Sequence, residues 1–237
     1  MRCIAVSACL AGLLAGAGHA QGFVEWHTEN VQLLRGFDYE LGDRRRTIVT
    51  IEHANRWRFG DLFLFADVTW GDDGQRGVYG EVSPRFSLSR MTGRDIAFPA
   101  VRDIYIATNF ELGDEGLDRR LAGLAADLDV PGFRFLRVHA YHRNDPERPG
   151  STWQWTLVWN RSFRIGGQAF LTEGFADLAG GEGAGTAHQL VVPRLLWQVP
   201  ETDGLYLGVE YQYWRNKFGV PGVDERVAQL QLKWTLG

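Results

Sequence analysis

The amino-acid sequence predicts an all-β fold, a closed up-and-down antiparallel barrel of about 12 strands that crosses a membrane. Apolar and polar residues alternate in segment after segment of the 237-residue chain, which is typical of strands whose two faces meet different surroundings. A strand of about 11 residues tilted near 45° covers about 25 Å, the height of a membrane barrel's apolar band. Beyond the N-terminus no run of about 20 apolar residues occurs, which excludes a polytopic helical membrane protein.

Residues 1–20 are predicted to be a secretory signal peptide. One early charge at Arg2 precedes an apolar stretch that continues through Leu14. The small residues Gly18 and Ala20 then predict cleavage before Gln21. The remaining residues, 21–237, are expected to form a single barrel domain.

Both cysteines, Cys3 and Cys9, lie within residues 1–20, so the exported chain would carry no thiol. Disulfides and thiol chemistry are therefore excluded. A competing lipoprotein interpretation would lipidate Cys9, but it leaves an apolar region shorter than the roughly 7 residues that a signal needs. The chain has 25 Lys and Arg residues against 29 Asp and Glu residues, so nucleic acid is not expected as a partner of this acidic, exported protein.

The strands are predicted from the alternation and from the turn signals between segments. The pattern is clearest near the end of the chain, where Leu230, Leu232 and Trp234 are separated by Gln231 and Lys233. The predicted strands are 31–40, 46–57, 61–70, 77–89, 101–111, 120–129, 133–143, 151–163, 168–177, 187–198, 204–214 and 226–236. The segments 168–177 and 187–198 alternate poorly, so the faces of these two strands are left open.

The connections favour the same topology. Those after the third, fifth, seventh, ninth and eleventh strands are long and rich in Gly, Asp, Glu and Pro, whereas those after the second, sixth and eighth are tight. Outer-membrane barrels alternate long external loops with short periplasmic turns in this way. Two connections break the parity, because the first hairpin is short and 91–100 is long where a short turn is expected.

A soluble β-protein is the alternative, either a lipocalin-like or sandwich protein or a periplasmic ligand-binding barrel. Its alternating apolar residues would point into a dry core while its charged residues faced water. The cluster of Trp153, Trp155 and Trp159 is more typical of lipid-facing or interfacial positions. The apolar face of each strand is therefore predicted to point outward, and the polar face is predicted to line a hydrated lumen.

Six segments also carry a resemblance to a known family: 47–54, 60–67, 81–87, 122–129, 174–177 and 209–219. In this order they are similar to segments of the nucleoside-specific outer-membrane channel family (Tsx-type). The resemblance covers residues 30–237. It implies a monomeric barrel in the bacterial outer membrane, with a narrow pore that admits nucleosides and deoxynucleosides by passive diffusion.

An outward apolar face would place a mixed set of charged and polar side chains in the lumen. The predicted channel-lining residues are Glu52, Asp67, Glu81, Arg85, Asp103, Tyr105, Asn109, Asp127, Arg137, His139, Tyr141, Glu210 and Gln212, with Lys233 on the same face. Acidic and basic groups in a narrow pore are expected to pair and to form a constriction. For Glu81, Arg85 and Glu210 an internal ion-pair network that only braces the wall is an open alternative.

Aromatic side chains on the inward faces would suit a solute with a flat base and a hydroxyl-rich sugar. The candidates are Phe63, Phe65, Tyr79, Tyr105, Phe133, Phe135 and Tyr141. Filling of the barrel interior is the alternative role for each of them. An error of one residue in register would also reverse the face of a strand.

The sequence predicts a channel for small uncharged solutes, most of all nucleosides, that performs no chemistry and needs no cofactor or metal ion. Its expected surroundings are outer-membrane lipid. The histidines are spread along the chain without ligand spacing. The rival is a lipid-acting outer-membrane enzyme, because His142 and Ser151 flank one predicted external hairpin. No acidic or amide partner that would orient His142 is evident in the sequence.

Overall fold

Twelve antiparallel strands close into a barrel in the computed structural model, which describes residues 23–236. Each strand pairs with the next one along the chain, and the last pairs with the first. The strands are β1 (Val24–Phe37), β2 (Arg45–Trp57), β3 (Gly60–Gly71), β4 (Arg76–Ser87), β5 (Val101–Gly113), β6 (Asp118–Leu128), β7 (Phe135–Asn144), β8 (Thr152–Ile165), β9 (Gln168–Ala179), β10 (His188–Gln198), β11 (Leu205–Arg215) and β12 (Glu225–Leu236).

The helical elements are short. Helix α1 (Leu88–Thr92) follows β4, and single 3-10 turns occur at Asp114–Gly116 and Lys217–Gly219. No helix within residues 23–236 has the length and apolar character needed to cross a membrane. The predicted signal peptide, residues 1–20, lies outside the described residues.

The predicted fold is confirmed, and every predicted strand after the first matches the observed one to within two residues at each end. The first was wrong, because β1 begins at Val24 instead of residue 31 and ends at Phe37 instead of residue 40. Its early part escaped detection because the polar side chains of His27 and Glu29 lie on the same outward face as Val31, which interrupts the apolar stripe. The left-handed backbone of Asp38, with φ of 65°, ends the strand.

The unexpectedly long connection between β4 and β5 contains helix α1. The side chain of Ser87 caps this helix by accepting a hydrogen bond from the backbone N–H of Arg90 at 3.0 Å. Gly93, with φ of 67°, ends it in the left-handed conformation that glycine adopts easily. The extra length therefore forms a capped helical turn at the end of the barrel where the other connections are short.

The two faces of the wall differ in the manner that a bilayer requires. Leu230 on β12 is 64% exposed on the outer face, whereas Gln229 and Gln231 on either side of it are buried inside the barrel. Arg85 on β4 is only 2% exposed, and it too lies inside. The soluble alternative is wrong, because it requires apolar side chains inside and charged ones outside. The end that carries the longer loops is the external end, as in other outer-membrane barrels.

Strands β9 and β10, whose faces the sequence left open, carry apolar side chains on both sides. Leu171, Val192 and Leu196 are buried in the interior, while Leu178 and Leu195 are exposed on the outer surface. Alternation is a signal only where the two faces differ in polarity. On these two strands the difference is weakened, because the inner face mixes apolar side chains with the charged Glu173, Asp177 and Arg194.

Candidate functional site

The barrel encloses a cavity of about 1000 Å³ that extends from the external loops down to the level of Arg85. The sequence-predicted residues that line it are Glu52, Asp67, Glu81, Arg85, Asn109, Arg137, His139, Tyr141, Glu210 and Gln212. The remaining three, Asp103, Tyr105 and Asp127, lie closer to the periplasmic end and do not line the cavity. Of these, Asp103 accepts hydrogen bonds from Ser87 and Ser89 at the start of α1.

One side of the lumen is held by the Arg194 cluster, which consists of Arg194, Lys233, Glu52, Glu173 and Glu210. The Arg194 guanidinium lies 2.6 Å from Glu210, 3.2 Å from Glu52 and 3.7 Å from Glu173. The Lys233 ammonium lies 2.5 Å from Glu173 and 3.7 Å from Glu52. Two cations and three carboxylates from β2, β9, β10, β11 and β12 are thereby joined in one network.

Neutral amides extend the Arg194 cluster along the wall. Asn30 donates a hydrogen bond to Glu52 at 2.8 Å, and Gln229 donates one to Glu210 at 2.7 Å. The Tyr39 hydroxyl in turn donates to the Gln229 oxygen at 2.6 Å. Buried charges are tolerated when partners satisfy them in this way. The carboxylates of this side are therefore fixed in place by several donors each.

The Arg85 cluster occupies the opposite side, at the floor of the cavity. The Arg85 guanidinium lies 2.6 Å from Asp61 and 2.7 Å from Asp127, and it stacks over the Tyr105 ring at 4.1 Å from the centroid. Arg137 approaches Asp127 at 3.5 Å. Charged and aromatic groups from β3, β4, β5, β6 and β7 are thus tied together, and Tyr105 supports the arginine instead of facing the cavity.

A third group, the mouth cluster, links strands to external loops. Arg143 contacts Glu111 at 2.8 Å, and Arg119 contacts Glu111 at 3.2 Å and Asp145 at 2.9 Å. Burial alone would raise the pKa of the Asp145 carboxyl, but the hydrogen bonds from Arg119 and from the backbone N–H of Glu147 bring it below its ordinary value. The loop after β7 is therefore anchored by a charged carboxylate.

Three other carboxylates in the cavity wall have only neutral partners. Asp67 accepts a hydrogen bond from Thr50 at 2.5 Å, and Asp177 accepts one from Thr156 at 2.5 Å. Glu81 accepts from the Tyr79 hydroxyl at 2.5 Å and from Asn109 at 2.8 Å. No ion pair within residues 23–236 involves Asp67, Glu81 or Asp177, although all three line the cavity. They present hydrogen-bond acceptors to whatever enters.

Beside these carboxylates lies an aromatic strip formed by Phe63, Phe65 and Tyr79. The ring centroids of Phe63 and Phe65 are 6.0 Å apart, and those of Phe65 and Tyr79 are 5.8 Å apart. On β7 the rings of His139 and Tyr141 form a second pair at 5.4 Å. All five rings line the cavity, so its wall offers flat apolar surfaces next to hydrogen-bond acceptors.

The other two aromatic candidates differ in position. Phe135 lines the cavity, with the Arg137 guanidinium 4.4 Å from its ring centroid. Phe133, which the sequence placed on an inward face, lies in the turn before β7 and does not line the cavity. Its backbone N–H donates to the Val130 carbonyl at 3.2 Å, and alternation along a strand does not extend into such a turn.

The sequence reasoning missed several residues of these clusters. Arg194 and Glu173 lie on β10 and β9, the strands whose faces could not be assigned. Asp61, at the start of β3, and Asp177, near the end of β9, were missed as well. A usable signal existed, because a charged side chain in the middle of a membrane strand is costly on the lipid face and so belongs inside.

The residues of the rival enzyme hypothesis do not form a site together. His142 lies on β7 opposite Trp153 of β8, and both side chains are on the outward face. Ser151 lies in the loop between β7 and β8. No hydrogen bond joins them in the part of the chain that the structure describes. Within residues 23–236 there is also no group of three or more His, Cys, Asp or Glu side chains arranged to hold a metal ion.

The same architecture occurs in a solved outer-membrane barrel. The KdgM porin superposes with a TM-score of 0.54 at 10% sequence identity, covering 88% of this chain and 99% of that chain. A KdgM porin in complex with disordered oligogalacturonate gives a TM-score of 0.53 at 10% identity with the same coverage. At this identity the likeness shows the fold alone.

Sequence relatives identify the family. The nucleoside-specific channel-forming protein Tsx of Salmonella typhimurium is 25% identical over 167 residues, which are 59% of this chain and 58% of the relative. Outer membrane protein OmpK of Vibrio parahaemolyticus is 27% identical over 123 residues, 46% of each protein. The chain thus spans about half the length of the curated relatives it matches. Since the family model described as nucleoside-specific channel-forming protein, Tsx, matches residues 22–234, this outer-membrane barrel belongs to that family.

Proposed function

We propose that this protein is a passive outer-membrane channel for small uncharged hydrophilic solutes, and that nucleosides are its preferred solutes. The observation that carries the proposal is the aromatic strip of Phe63, Phe65 and Tyr79 beside the ion-pair-free carboxylate of Glu81. A flat base stacks on aromatic rings, and its sugar hydroxyls and amino groups donate hydrogen bonds to carboxylate oxygens. The Tsx relative bears a name that agrees with this substrate class.

The arrangement of charge supports a preference for uncharged solutes. The lumen-facing cations Arg85, Arg194 and Lys233 are all engaged by carboxylates of the wall. An anionic solute therefore finds no unpaired cation in these clusters and would lose its hydration in the barrel without gaining an ion pair there. A neutral solute pays no such penalty, and the wall offers it rings and acceptors together.

The size of the cavity fits a small solute. Its volume of about 1000 Å³ lies at the upper end of the roughly 300–1,000 Å³ that small-molecule sites occupy. A nucleoside would therefore pass with side chains close on several sides, which is the condition for selective and saturable diffusion.

The alternative role of Glu81, Arg85 and Glu210, an ion-pair network that only braces the wall, fits two of these residues but not the third. Arg85 and Glu210 belong to ion-pair networks with short contacts to neighbouring strands, and we infer that they brace the wall. Glu81 has only neutral partners and lies next to the aromatic strip, and we infer that it contacts the solute.

We also infer that the channel functions as a monomer and without covalent chemistry. The cavity lies wholly inside one closed barrel, and β1 and β12 pair with each other, so no sheet edge is left for a second copy. Light scattering in detergent should give the mass of a single chain. Purified protein should release no fatty acid from phospholipid vesicles, and release that Ser151→Ala abolishes would restore the enzyme hypothesis.

The direct test of the proposal is transport into liposomes. The initial rates of entry of adenosine and thymidine should exceed that of a sugar of similar size and should saturate as the solute concentration rises. Protein-free liposomes and liposomes with an unrelated general porin serve as controls. Equal, unsaturable rates for all three solutes would reduce the protein to a general pore.

A further inference from the structure

A groove on the outer surface of the barrel lies at the periplasmic end, beside helix α1. Its volume is about 280 Å³, and its lining consists of Trp57, Phe59, Phe86 and Met91. These four apolar residues come from the end of β2, the turn after it, the end of β4 and the helix. We refer to this feature as the α1 groove.

The α1 groove forms where a glycine separates two large rings. Gly60, at the start of β3, pairs with Trp57 of β2 on one side and with Phe86 of β4 on the other. Directly paired residues share a face of the sheet, so the two rings meet above a position that has no side chain. Their centroids are 5.5 Å apart with the planes at 84°. Phe59 meets the Trp57 ring edge to face as well, at 5.7 Å. Two edge-to-face contacts therefore fix the orientation of Trp57.

Helix α1 supplies the remaining wall of the groove and is itself fixed in place. Arg90 donates hydrogen bonds to Glu25 of β1 at 2.8 Å and to the Trp57 carbonyl at 3.3 Å. The Ser89 hydroxyl donates to Asp103 of β5 at 2.7 Å. The helix is thereby joined to β1, β2 and β5, so the groove is formed before anything binds. Binding to a preformed groove loses little conformational entropy.

The α1 groove opens toward the surrounding lipid. Phe86 lies on the face opposite to that of Arg85, whose side chain is buried inside the barrel. Met91 is 51% exposed and Phe59 is 37% exposed, although both side chains are apolar. Aromatic residues at the end of a membrane strand lie where acyl chains meet headgroups. The material that adjoins this groove is therefore hydrocarbon.

Positive charge borders the same groove. Arg58 is an exposed residue of the turn between Trp57 and Phe59, and its guanidinium lies 5.2 Å from the Phe59 ring centroid. Arg94, three residues after Met91, is exposed as well. Neither arginine forms an ion pair within residues 23–236. Two free guanidinium groups thus accompany an apolar surface.

The nearby carboxylates do not neutralise these arginines. Glu25 is already paired with Arg90 at 2.8 Å. Asp95 accepts a hydrogen bond from the backbone N–H of Ala97 at 3.0 Å. A guanidinium group without a carboxylate partner is well suited to a phosphate, which it can bind with two parallel hydrogen bonds.

We propose that the α1 groove binds one phospholipid of the periplasmic leaflet, with part of an acyl chain against Trp57, Phe86 and Met91 and with the phosphate on Arg58. An apolar groove beside a free guanidinium matches an amphiphile that has a hydrocarbon tail and an anionic head. A soluble anion would leave the groove empty, and a neutral lipid would leave the arginine unpaired. The site lies on the outer wall, so a lipid bound there does not occupy the lumen.

The test is native mass spectrometry of the intact protein, purified in a non-ionic detergent and mixed with increasing amounts of dioleoylphosphatidylglycerol. One lipid per barrel should be retained at concentrations where a second is not. Arg58→Gln should raise the dissociation constant of this first lipid about fivefold, the usual contribution of one arginine near an anionic lipid surface. Met91→Asp should raise it at least as much, because it brings a carboxylate to the acyl chain.

Matched variants at the same end of the barrel serve as controls. Arg161 also lies near an aromatic ring, 5.7 Å from the Phe133 centroid, and forms no ion pair within the described residues. Ile165 is 64% exposed at the end of β8. Arg161→Gln and Ile165→Asp should retain the wild-type dissociation constant. Dioleoylglycerol, which has the same chains and no phosphate, should bind the wild-type protein more weakly, and Arg58→Gln should not change its binding.

Several outcomes would overturn the lipid site. Equal losses in Arg58→Gln and Arg161→Gln would indicate unspecific lipid around the barrel. Equal binding of dioleoylglycerol and dioleoylphosphatidylglycerol, or a loss of dioleoylglycerol binding in Arg58→Gln, would show that Arg58 does not recognise the phosphate. Displacement of the lipid by millimolar inorganic phosphate, but not by acetate of equal ionic strength, would indicate a site for a free anion. None of these measurements depends on nucleoside transport, so the proposed function stands or fails separately.

Discussion

The two sides of the lumen are built on the same alternating strands but differ in whether their carboxylates are paired with cations. On the side of β9–β12 the Arg194 cluster joins two cations to three carboxylates through contacts as short as 2.5 Å. On the side of β3 and β4 the cavity wall above Arg85 carries Asp67 and Glu81 with neutral partners, next to Phe63 and Phe65. Ion pairs stiffen a wall, whereas acceptors that have no cation and lie beside rings are available to a solute. We infer that the Arg194 side supports the wall and that the side of β3 and β4 recognises the solute.

The largest effect should come from Arg194→Gln, which would leave Glu52, Glu173 and Glu210 with Lys233 as their only cation. Removing one partner of a buried charge network typically costs about 3–5 kcal/mol, because the remaining charges stay buried without compensation. The free energy of unfolding in lipid vesicles, measured by urea titration, should fall by about that amount. The control is Arg161→Gln, an exposed residue on the outer face of β8 with no ion pair within residues 23–236. A loss below about 1 kcal/mol would show that the Arg194 cluster is not a brace.

The second effect belongs to the recognition side. Phe65→Ala removes the middle ring of the strip and should weaken nucleoside block of the channel by about 1–3 kcal/mol, the usual size of base–aromatic stacking. Block by a sugar should be unchanged. Trp155→Ala, which removes an exposed ring from the outer face of β8, is the matched control. Equal weakening in both variants would indicate a general change in the barrel and not a lost contact.

A smaller effect is expected for Glu81→Gln, which keeps the shape of the side chain but replaces one carboxyl oxygen by an amide NH2 group. The amide offers one acceptor oxygen where the carboxyl group offers two, so the loss of one hydrogen bond of roughly 1 kcal/mol should weaken nucleoside block about fivefold. Stability should change little, because no cation depends on Glu81 in the described structure. Glu210→Gln should show the reverse pattern, a loss of stability with little change in block. If both variants behave alike, the distinction between the two sides fails.

The smallest effect concerns pH at the mouth cluster. The folded pKa of Asp145 is lowered, so its contribution to loop anchoring is present above the unfolded value of about 3.9 and is lost as pH falls through the folded value. The loop after β7 should therefore resist pepsin until the pH falls below about 3.9. In Arg119→Gln the carboxyl loses a hydrogen bond, so cleavage should begin at higher pH. Arg120→Gln, which loses only an exposed pairing with Asp118, should behave like the wild-type protein.

The strands were predictable because lipid and lumen impose opposite polarities on neighbouring positions, and this rule acts locally. It failed in two places where the rule is not obeyed. His27 and Glu29 are polar on the outer face of β1, and the inner faces of β9 and β10 mix apolar side chains with charged ones. The resemblance to the Tsx-type family, carried by an ordered series of segments, is confirmed by the family match over residues 22–234. The family does not by itself give the register of any strand.

Pairings across the lumen could not be predicted from local pattern. Arg194 meets Glu52 across 142 positions of sequence, and such contacts depend on how many residues each strand shifts relative to the next. The α1 groove was equally hidden, because its lining is brought together from β2, β4 and the helix between β4 and β5. Spacing along the chain shows which side chains share a face, but the shear of the closed barrel decides which of them touch.

The pairing of β12 with β1 also has a consequence for biogenesis. Gln231 donates a hydrogen bond to Gln32 at 2.5 Å across 199 positions of sequence, so the seam of the cylinder joins strands synthesised first and last. Until β12 arrives, β1 and β11 are open edges that hydrocarbon cannot solvate and that other chains can join. The nascent polypeptide must therefore reach its membrane with the barrel still open, and the pairing of β12 with β1 must coincide with insertion.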